Sequence, residues 1–239
     1  EINRYQRHLI LPQVDQAGQA KLKQASVLLI GLGGLGSPIA LYLTAAGIGK
    51  IGLLDDDVVA TSNLQRQVIH SEATVGQLKV ESAAQRLRQL NHFTTIQTFP
   101  QRFTAETAKI VQEFDIMIDA TDNFTARYAI NTACVLHRKP MVYGAVKDFD
   151  GQISVFAPHI KGPCYHCVFP HPPQDTGEPV GVFGMLPGII GSMQAAETIK
   201  LLLDIGNPLI GNLQVFNALE NEWYGIDTRK NPDCPICSQ

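Results

Sequence analysis

Short apolar runs alternate along this chain with longer segments in which apolar residues recur every three or four positions. Ser26–Ile30 (SVLLI) is uninterrupted apolar sequence after its first residue, the pattern of a strand buried on both faces. Glycines follow, and a helical pattern covers 34–46. Residues 50–54 (KIGLL) read as a second strand that ends in the acidic triplet Asp55, Asp56 and Asp57. Residues 77–90 predict an amphipathic helix with Val80, Ala83, Ala84, Leu87 and Leu90 on one stripe. A third strand is expected at 94–99, a helix at 104–113, a fourth strand at 114–120, a helix at 123–137 and a fifth strand at 140–145. Residues 13–25 read as a short polar helix feeding the first strand.

This alternation predicts an α/β fold: a Rossmann-like doubly wound sheet, parallel in its N-terminal part. The rhythm changes after Gly151. A strand at 152–157 has no crossover helix, and 158–187 is rich in Pro, Gly and His without periodicity, which predicts a mobile crossover loop. The helix expected at 188–204 is too apolar for a surface helix and belongs to deep core or to an interface. Two antiparallel strands, 211–217 and 221–227, complete the sheet. The expected organisation is one domain over 1–239, with a helical arm at 1–25, a nucleotide-binding core at 26–157, the loop at 158–187 and a C-terminal part at 188–239.

Composition narrows the class. With 239 residues, 45% hydrophobic and 17% charged, the chain is neither disordered nor dependent on disulfides. A net charge of −3 offers no basic footprint for nucleic acid. No apolar run reaches the roughly 18 residues of a membrane span, and the opening EINRYQRHLILPQVD lacks a secretory pattern. A cytoplasmic enzyme is expected.

Candidate chemistry begins at Gly31-Leu32-Gly33-Gly34-Leu35-Gly36, a G-x-G-x-x-G between a predicted strand and a predicted helix. Gly31, Gly33, Gly34 and Gly36 let the backbone approach phosphates, and the helix end favours their charge. Asp55 closes the second strand about 20 residues on, where a carboxylate accepts ribose hydroxyls. These features indicate a nucleotide without naming it, and NAD is the default. Arg66, in the polar stretch TSNLQRQ, and Lys79 add cations that a dinucleotide does not need and a triphosphate does. Asp122, in DATDN at the carboxyl edge of the sheet, is either a Mg²⁺ ligand or a cap for the next helix. No P-loop signature is present.

The five cysteines are clumped. Cys164-x-x-Cys167 and Cys234-x-x-Cys237 form two C-x-x-C pairs, enough for a structural Zn²⁺ with no open position. A redox pair or two disulfides are the alternatives. Cys134, mid-helix between Ala133 and Val135, reads as a packing residue.

RYQRHLI, GLGGLG, LLDDDVV, SNLQRQ, GQLKVESA, DATDN and the two C-x-x-C pairs occur in an order that resembles the MoeB/ThiF/HesA adenylyltransferases, over nearly the whole chain. The resemblance implies ATP-dependent adenylation of the C-terminal glycine of a small ubiquitin-fold sulfur carrier protein. It implies that Asp55 binds ribose, that Asn63, Arg66 and Lys79 contact phosphates, and that Asp122 binds magnesium. It also implies that Arg7 reaches the triphosphate from the other subunit of a homodimer, and that the four paired cysteines bind zinc. Some members carry a cysteine before the long helix for a covalent link to the carrier, and here Gly177 stands near that place. Adenylation without a covalent enzyme–carrier step is therefore expected. HSEATVGQLKVES and NPDCPIC resemble the MoeB (molybdopterin) branch, whereas ALYL resembles the ThiF (thiamine thiazole) branch. An NAD-dependent oxidoreductase and a non-catalytic ubiquitin-like-protein binder are the rival readings. Both leave the phosphate-handling set unexplained.

Overall fold

The computed structural model describes residues 1–172 and 181–238. Its frame is an eight-stranded sheet in the order β3-β2-β1-β4-β5-β6-β7-β8. The strands are β1 (Ser26–Ile30), β2 (Lys50–Leu54), β3 (Thr95–Phe99), β4 (Ile116–Asp119), β5 (Met141–Lys147), β6 (Asp150–Phe156), β7 (Asn212–Asn217) and β8 (Glu222–Asp227). The pairs from β3 to β5 are parallel, and those from β5 to β8 antiparallel. The expected change of rhythm is therefore a change from parallel to antiparallel pairing, with tight turns at β5–β6 and β7–β8 and the segment carrying α6 and α7 between β6 and β7.

The helices are α1 (Ile2–Leu9), α2 (Asp15–Gln24), α3 (Gly36–Ala46), α4 (Lys79–Leu90), α5 (Phe124–Leu136), α6 (Tyr165–Val168) and α7 (Leu186–Leu203). Val27 through Ile30 are all buried, with Val27 and Leu29 facing one core and Leu28 and Ile30 the other. Helices α3, α4 and α7 cover the first face, while α5 and an aromatic group of Tyr143, Phe156 and Tyr165 cover the second. Each such aliphatic side chain contributes roughly 1.5–3 kcal/mol of burial free energy. This two-sided demand explains why β1 has no polar alternation.

Helix α7 belongs to the core on one face. Leu186, Ile190 and Leu203 are buried, and the helix lies against α3, β5 and β6. Gly191 permits the approach, because a Cβ there would stand 2.5 Å from the carbonyl oxygen of Leu35. Two expectations need correction. The helix at 104–113 is a 3₁₀ turn over Ala108–Glu113 only. Thr107 Oγ1 accepts the Thr104 N–H at 2.8 Å and donates to the Arg102 carbonyl at 3.0 Å, a local bonding pattern that competes with an α-helical start. The loop at 158–187 is not featureless: it contains a 3₁₀ turn at Pro158–Ile160 and the short helix α6, which carries Cys167. Its far end is tied to the β5–β6 turn, with Asp148 donating its N–H to Gly181 at 2.7 Å and accepting from Phe183 at 2.9 Å. Gly177 and the rest of 173–180 lie outside the described residues.

Candidate nucleotide and metal sites

The order of strands leaves β1 in opposite directions, toward β2 and β3 on one side and β4 and β5 on the other. Ligands of open α/β sheets bind at such a switch point, outside the carboxyl ends of the strands. The glycine turn leaves β1 there, and the Thr121–Asp122 corner leaves β4 beside it. Gly31 has φ +95, and a Cβ on it would lie 2.6 Å from the carbonyl oxygen of Ala120. A Cβ on Gly36 would lie 2.1 Å from the carbonyl oxygen of Gly31. These two glycines are required by packing of the turn itself.

Asp55 Oδ2 accepts the Leu32 N–H at 2.7 Å, and its Oδ1 accepts the Asp57 N–H at 2.9 Å. Burial pushes its carboxyl above the ordinary aspartate value, against the pull of these two bonds. Sequence reasoning missed the residue that holds the same turn from below. Buried His70 places Nε2 at 3.0 Å from the Leu32 carbonyl and Nδ1 at 2.8 Å from Ser82 Oγ. A carbonyl only accepts, so Nε2 is assigned the proton and Nδ1 accepts from the serine. Burial lowers the His70 pKa, which agrees with that neutral tautomer. Its signal was weak: one histidine in a polar stretch.

The segment carrying Asn63 and Arg66 lies over the turn. A Cβ on Gly34 would meet Arg66 Cγ at 3.5 Å, and one on Gly33 would meet Gln67 Nε2 at 3.6 Å. Arg66 Nη1 donates to the Ser62 carbonyl at 3.3 Å, and Asn63 Oδ1 accepts the Ala60 N–H at 3.1 Å. Lys79 opens α4 as a buried side chain, its Nζ 2.8 Å from Asp57 Oδ2. A 3₁₀ turn at Thr61–Asn63 sets this segment.

Asp122 is exposed and makes no hydrogen bond or ion pair among the described residues. The cap of α5 is Asn123, whose Oδ1 accepts the Ala126 N–H at 2.9 Å. Capping therefore does not account for Asp122, which follows β4 at the carboxyl edge of the sheet. Arg7 is not brought to this crevice by its own chain. Helix α1 is anchored by Tyr5, whose hydroxyl accepts from Asn91 Nδ2 at 2.9 Å, and by Arg4, which donates to the Leu90 carbonyl at 3.0 Å. Tyr5 also packs on Gly47, before β2. These anchors lie at the amino ends of β2 and β3, the opposite end of the sheet.

The four paired cysteines converge. Cys164 Sγ is 3.7 Å from both Cys167 Sγ and Cys234 Sγ, and Cys167 Sγ is 3.5 Å from Cys237 Sγ. All four sulfurs lie within 4.8 Å of one another, and none is disulfide-bonded. A tetrahedron with Zn–S bonds near 2.3 Å has edges of about 3.8 Å, so the sulfurs fit one Zn²⁺. Asn131 Nδ2 and the Asn231 N–H donate to Cys164 Sγ and Cys167 Sγ at 3.8 and 3.4 Å, as donors behind a metal's thiolates do. Cys134 is 2% exposed, and burial raises its thiol pKa, so it is an inert packing residue. No helix among the described residues is long and apolar enough to cross a membrane.

The ThiF family matches residues 5–236. A sulfur carrier protein adenylyltransferase of Thermus thermophilus is 46% identical, the match covering 99% of this chain and 91% of that protein. The SAMP-activating enzyme E1 of Haloferax volcanii is 41% identical over 100% of this chain and 90% of its own. The adenylyltransferase and sulfurtransferase MOCS3 of Anopheles gambiae is 46% identical over 100% of this chain, which spans 55% of that longer protein. Among solved structures, E. coli MccB with MccA-N7isoASN superposes with a TM-score of 0.89 at 24% identity, covering 100% of this chain and 75% of that one. That likeness concerns the fold.

Proposed function

The chain belongs to the ThiF family, and from that premise we propose that it is an ATP-dependent adenylyltransferase acting on the C-terminal glycine carboxylate of a small ubiquitin-like sulfur carrier protein. The observation that carries the reading is the free Asp122 carboxylate, left uncommitted by Asn123, at the crevice shared by the glycine turn, Asp55 and Arg66.

Asp55 receives the ribose hydroxyls. The N–H groups of the glycine turn and the start of α3 receive phosphate oxygens. Asn63, Arg66 and Lys79 neutralise the triphosphate, the lysine exchanging Asp57 for a phosphate oxygen. Arg7 of a second copy of the chain adds a further cation, which accounts for the distance of α1 from its own crevice. Held by Asp122, Mg²⁺ would offset the charge that builds on the departing pyrophosphate. The carrier carboxylate attacks the α-phosphorus in line; a new O–P bond forms, the α–β phosphoanhydride bond breaks, and pyrophosphate leaves as the acyl-adenylate forms. The attacking carboxylate is already ionised, so no general base is required. The site therefore works by alignment and charge stabilisation. Zn²⁺ held by the four paired cysteines would fasten the tail to α6 and, with no open position, would supply structure rather than chemistry. With four cysteines gathered in the cluster and Cys134 buried, no thiol of this chain remains for a covalent enzyme–carrier link, which favours release of the adenylate. The sequence features near His70 and Cys234 favour a carrier of the molybdopterin branch over the thiazole branch.

The test is exchange of labelled pyrophosphate into ATP with carriers ending in Gly-Gly. Exchange that depends on a carrier supports the reading; reduction or oxidation of a nicotinamide cofactor with no exchange overturns it.

A further inference from the structure

Residues 119–121, which lead from β4 into Asp122, are fastened on every side. The fully buried Asp119 accepts both the N–H and the hydroxyl of Thr121 on Oδ1, at 2.9 and 2.7 Å. Its own carbonyl accepts Gln194 Nε2 of α7 at 2.7 Å, and the Ala120 N–H donates to the Ile30 carbonyl at 2.9 Å. From α5, Arg127 Nη2 donates to the Thr121 carbonyl at 2.9 Å. Arg127 is 7% exposed, and its guanidinium lies 5.3 Å above the Phe124 ring and 5.6 Å from the Tyr143 ring.

A buried arginine beside a buried aspartate has an obvious structural reading as an ion pair. The geometry does not fit a pair optimised for that purpose. Arg127 Nε and Asp119 Oδ2 stand 3.8 Å apart, and each lacks a hydrogen-bond partner. The short bond that the guanidinium does make goes to the backbone of Thr121, the residue before Asp122. A buried, cationic donor bonded to that carbonyl, and drawn also to the Tyr165 hydroxyl, fixes the peptide plane between Thr121 and Asp122, and so the direction in which the aspartate leaves the sheet.

We infer that Arg127 is a positioning residue which, through the Thr121 carbonyl, holds the Asp122 carboxylate in the geometry that receives the divalent cation of the nucleotide. This inference rests on the magnesium role of Asp122 proposed above. The same construction couples the crevice to the zinc cluster: Tyr143 packs on Tyr165 at 5.4 Å, and Tyr165 follows Cys164 and donates its N–H to Asn131 Oδ1 at 2.8 Å. Arg127 and Asn131 are one turn apart on α5, one serving the phosphate side and the other the cysteine side.

The experiment compares Arg127→Met, Arg127→Lys, Thr121→Val and Asp122→Asn in the full chain. Mn²⁺ binding is read by electron paramagnetic resonance with a non-hydrolysable ATP analogue, alongside the metal dependence of pyrophosphate exchange and thermal melting. Half-saturating metal is expected to rise at least tenfold in Arg127→Met and less in Arg127→Lys, while affinity for the analogue without metal stays within twofold. Thr121→Val removes only the hydroxyl bond to Asp119 and keeps the carbonyl that Arg127 holds, so it should shift metal binding far less; Arg127→Lys serves if Arg127→Met does not fold. Folded Arg127→Met or Arg127→Lys protein with lowered melting temperature but unchanged metal binding would make the arginine structural and overturn the inference. Unchanged metal binding in Asp122→Asn would instead overturn the assignment of Asp122 itself.

Discussion

Asp55 Oδ2 accepts the backbone N–H of Leu32 at 2.7 Å, so the carboxylate closing one strand is fastened to the turn opening from its neighbour. His70 grips the carbonyl of the same residue at 3.0 Å. Leu32 is thereby held through both of its polar backbone groups before any nucleotide arrives. Pre-organisation of this kind reduces the ordering cost of binding.

Asp55→Asn is expected to weaken ATP about 10- to 100-fold, the range of losing hydrogen bonds to a charged group. The loss should appear in KM for ATP and be far smaller in KM for the carrier. Steady-state exchange kinetics at varied ATP separate the two.

His70 predicts a pH dependence of stability. Burial lowers its native pKa below the ordinary histidine value, so the unfolded chain takes up a proton that the native chain refuses. Its contribution is complete above about pH 6.5 and falls as pH drops toward the native pKa. Urea unfolding at pH 7.5 and 5.5 should show a smaller loss in His70→Asn than in the parent. Equal losses would mean that His70 does not set this dependence.

Gly36→Ala places a methyl group against the Gly31 carbonyl and should cost at least about 1–3 kcal/mol, the usual penalty of overpacking. Gly76→Ala is the comparison. Unlike Gly36, it has a positive φ of 86 and nothing within 4 Å, so its cost should be confined to backbone strain.

The cysteine cluster predicts about one Zn²⁺ per chain by elemental analysis. Removal with a chelator, or Cys164→Ser, should lower the melting temperature markedly. A metal-free protein with the same melting temperature and exchange activity would count against the assignment. Cys134→Ala, by contrast, should cost only about 1–2 kcal/mol of packing and leave exchange intact, and intact-mass measurement should show no carrier attached to the parent.

Much of this architecture was legible because the responsible residues act locally. The apolar run of β1, the heptad-like stripe on α4 and the glycines between strand and helix each carry their own geometric requirement. The paired cysteines were legible as pairs, since two thiols three residues apart already define one edge of a metal site. What the sequence hid were contacts made across the fold. Nothing around Arg127 marks it as the donor to Thr121, because α5 must first pack beside β4. Gln194 lies in an apolar helix and meets the Asp119 carbonyl only when α7 crosses the sheet. The helix expected at 104–113 shortened for a reason also invisible to periodicity, the competing hydroxyl of Thr107.

The central claim is that Asp122 serves nucleotide activation of a carrier carboxylate. Carrier-dependent exchange of pyrophosphate into ATP by the parent chain and by Asp122→Ala tests it most directly. Exchange is expected in the parent, with a loss of at least about 100-fold in the variant, as for removal of a major electrostatic group from an active site, and with the fold unchanged by circular dichroism. Exchange that persists undiminished in a folded Asp122→Ala protein would contradict it.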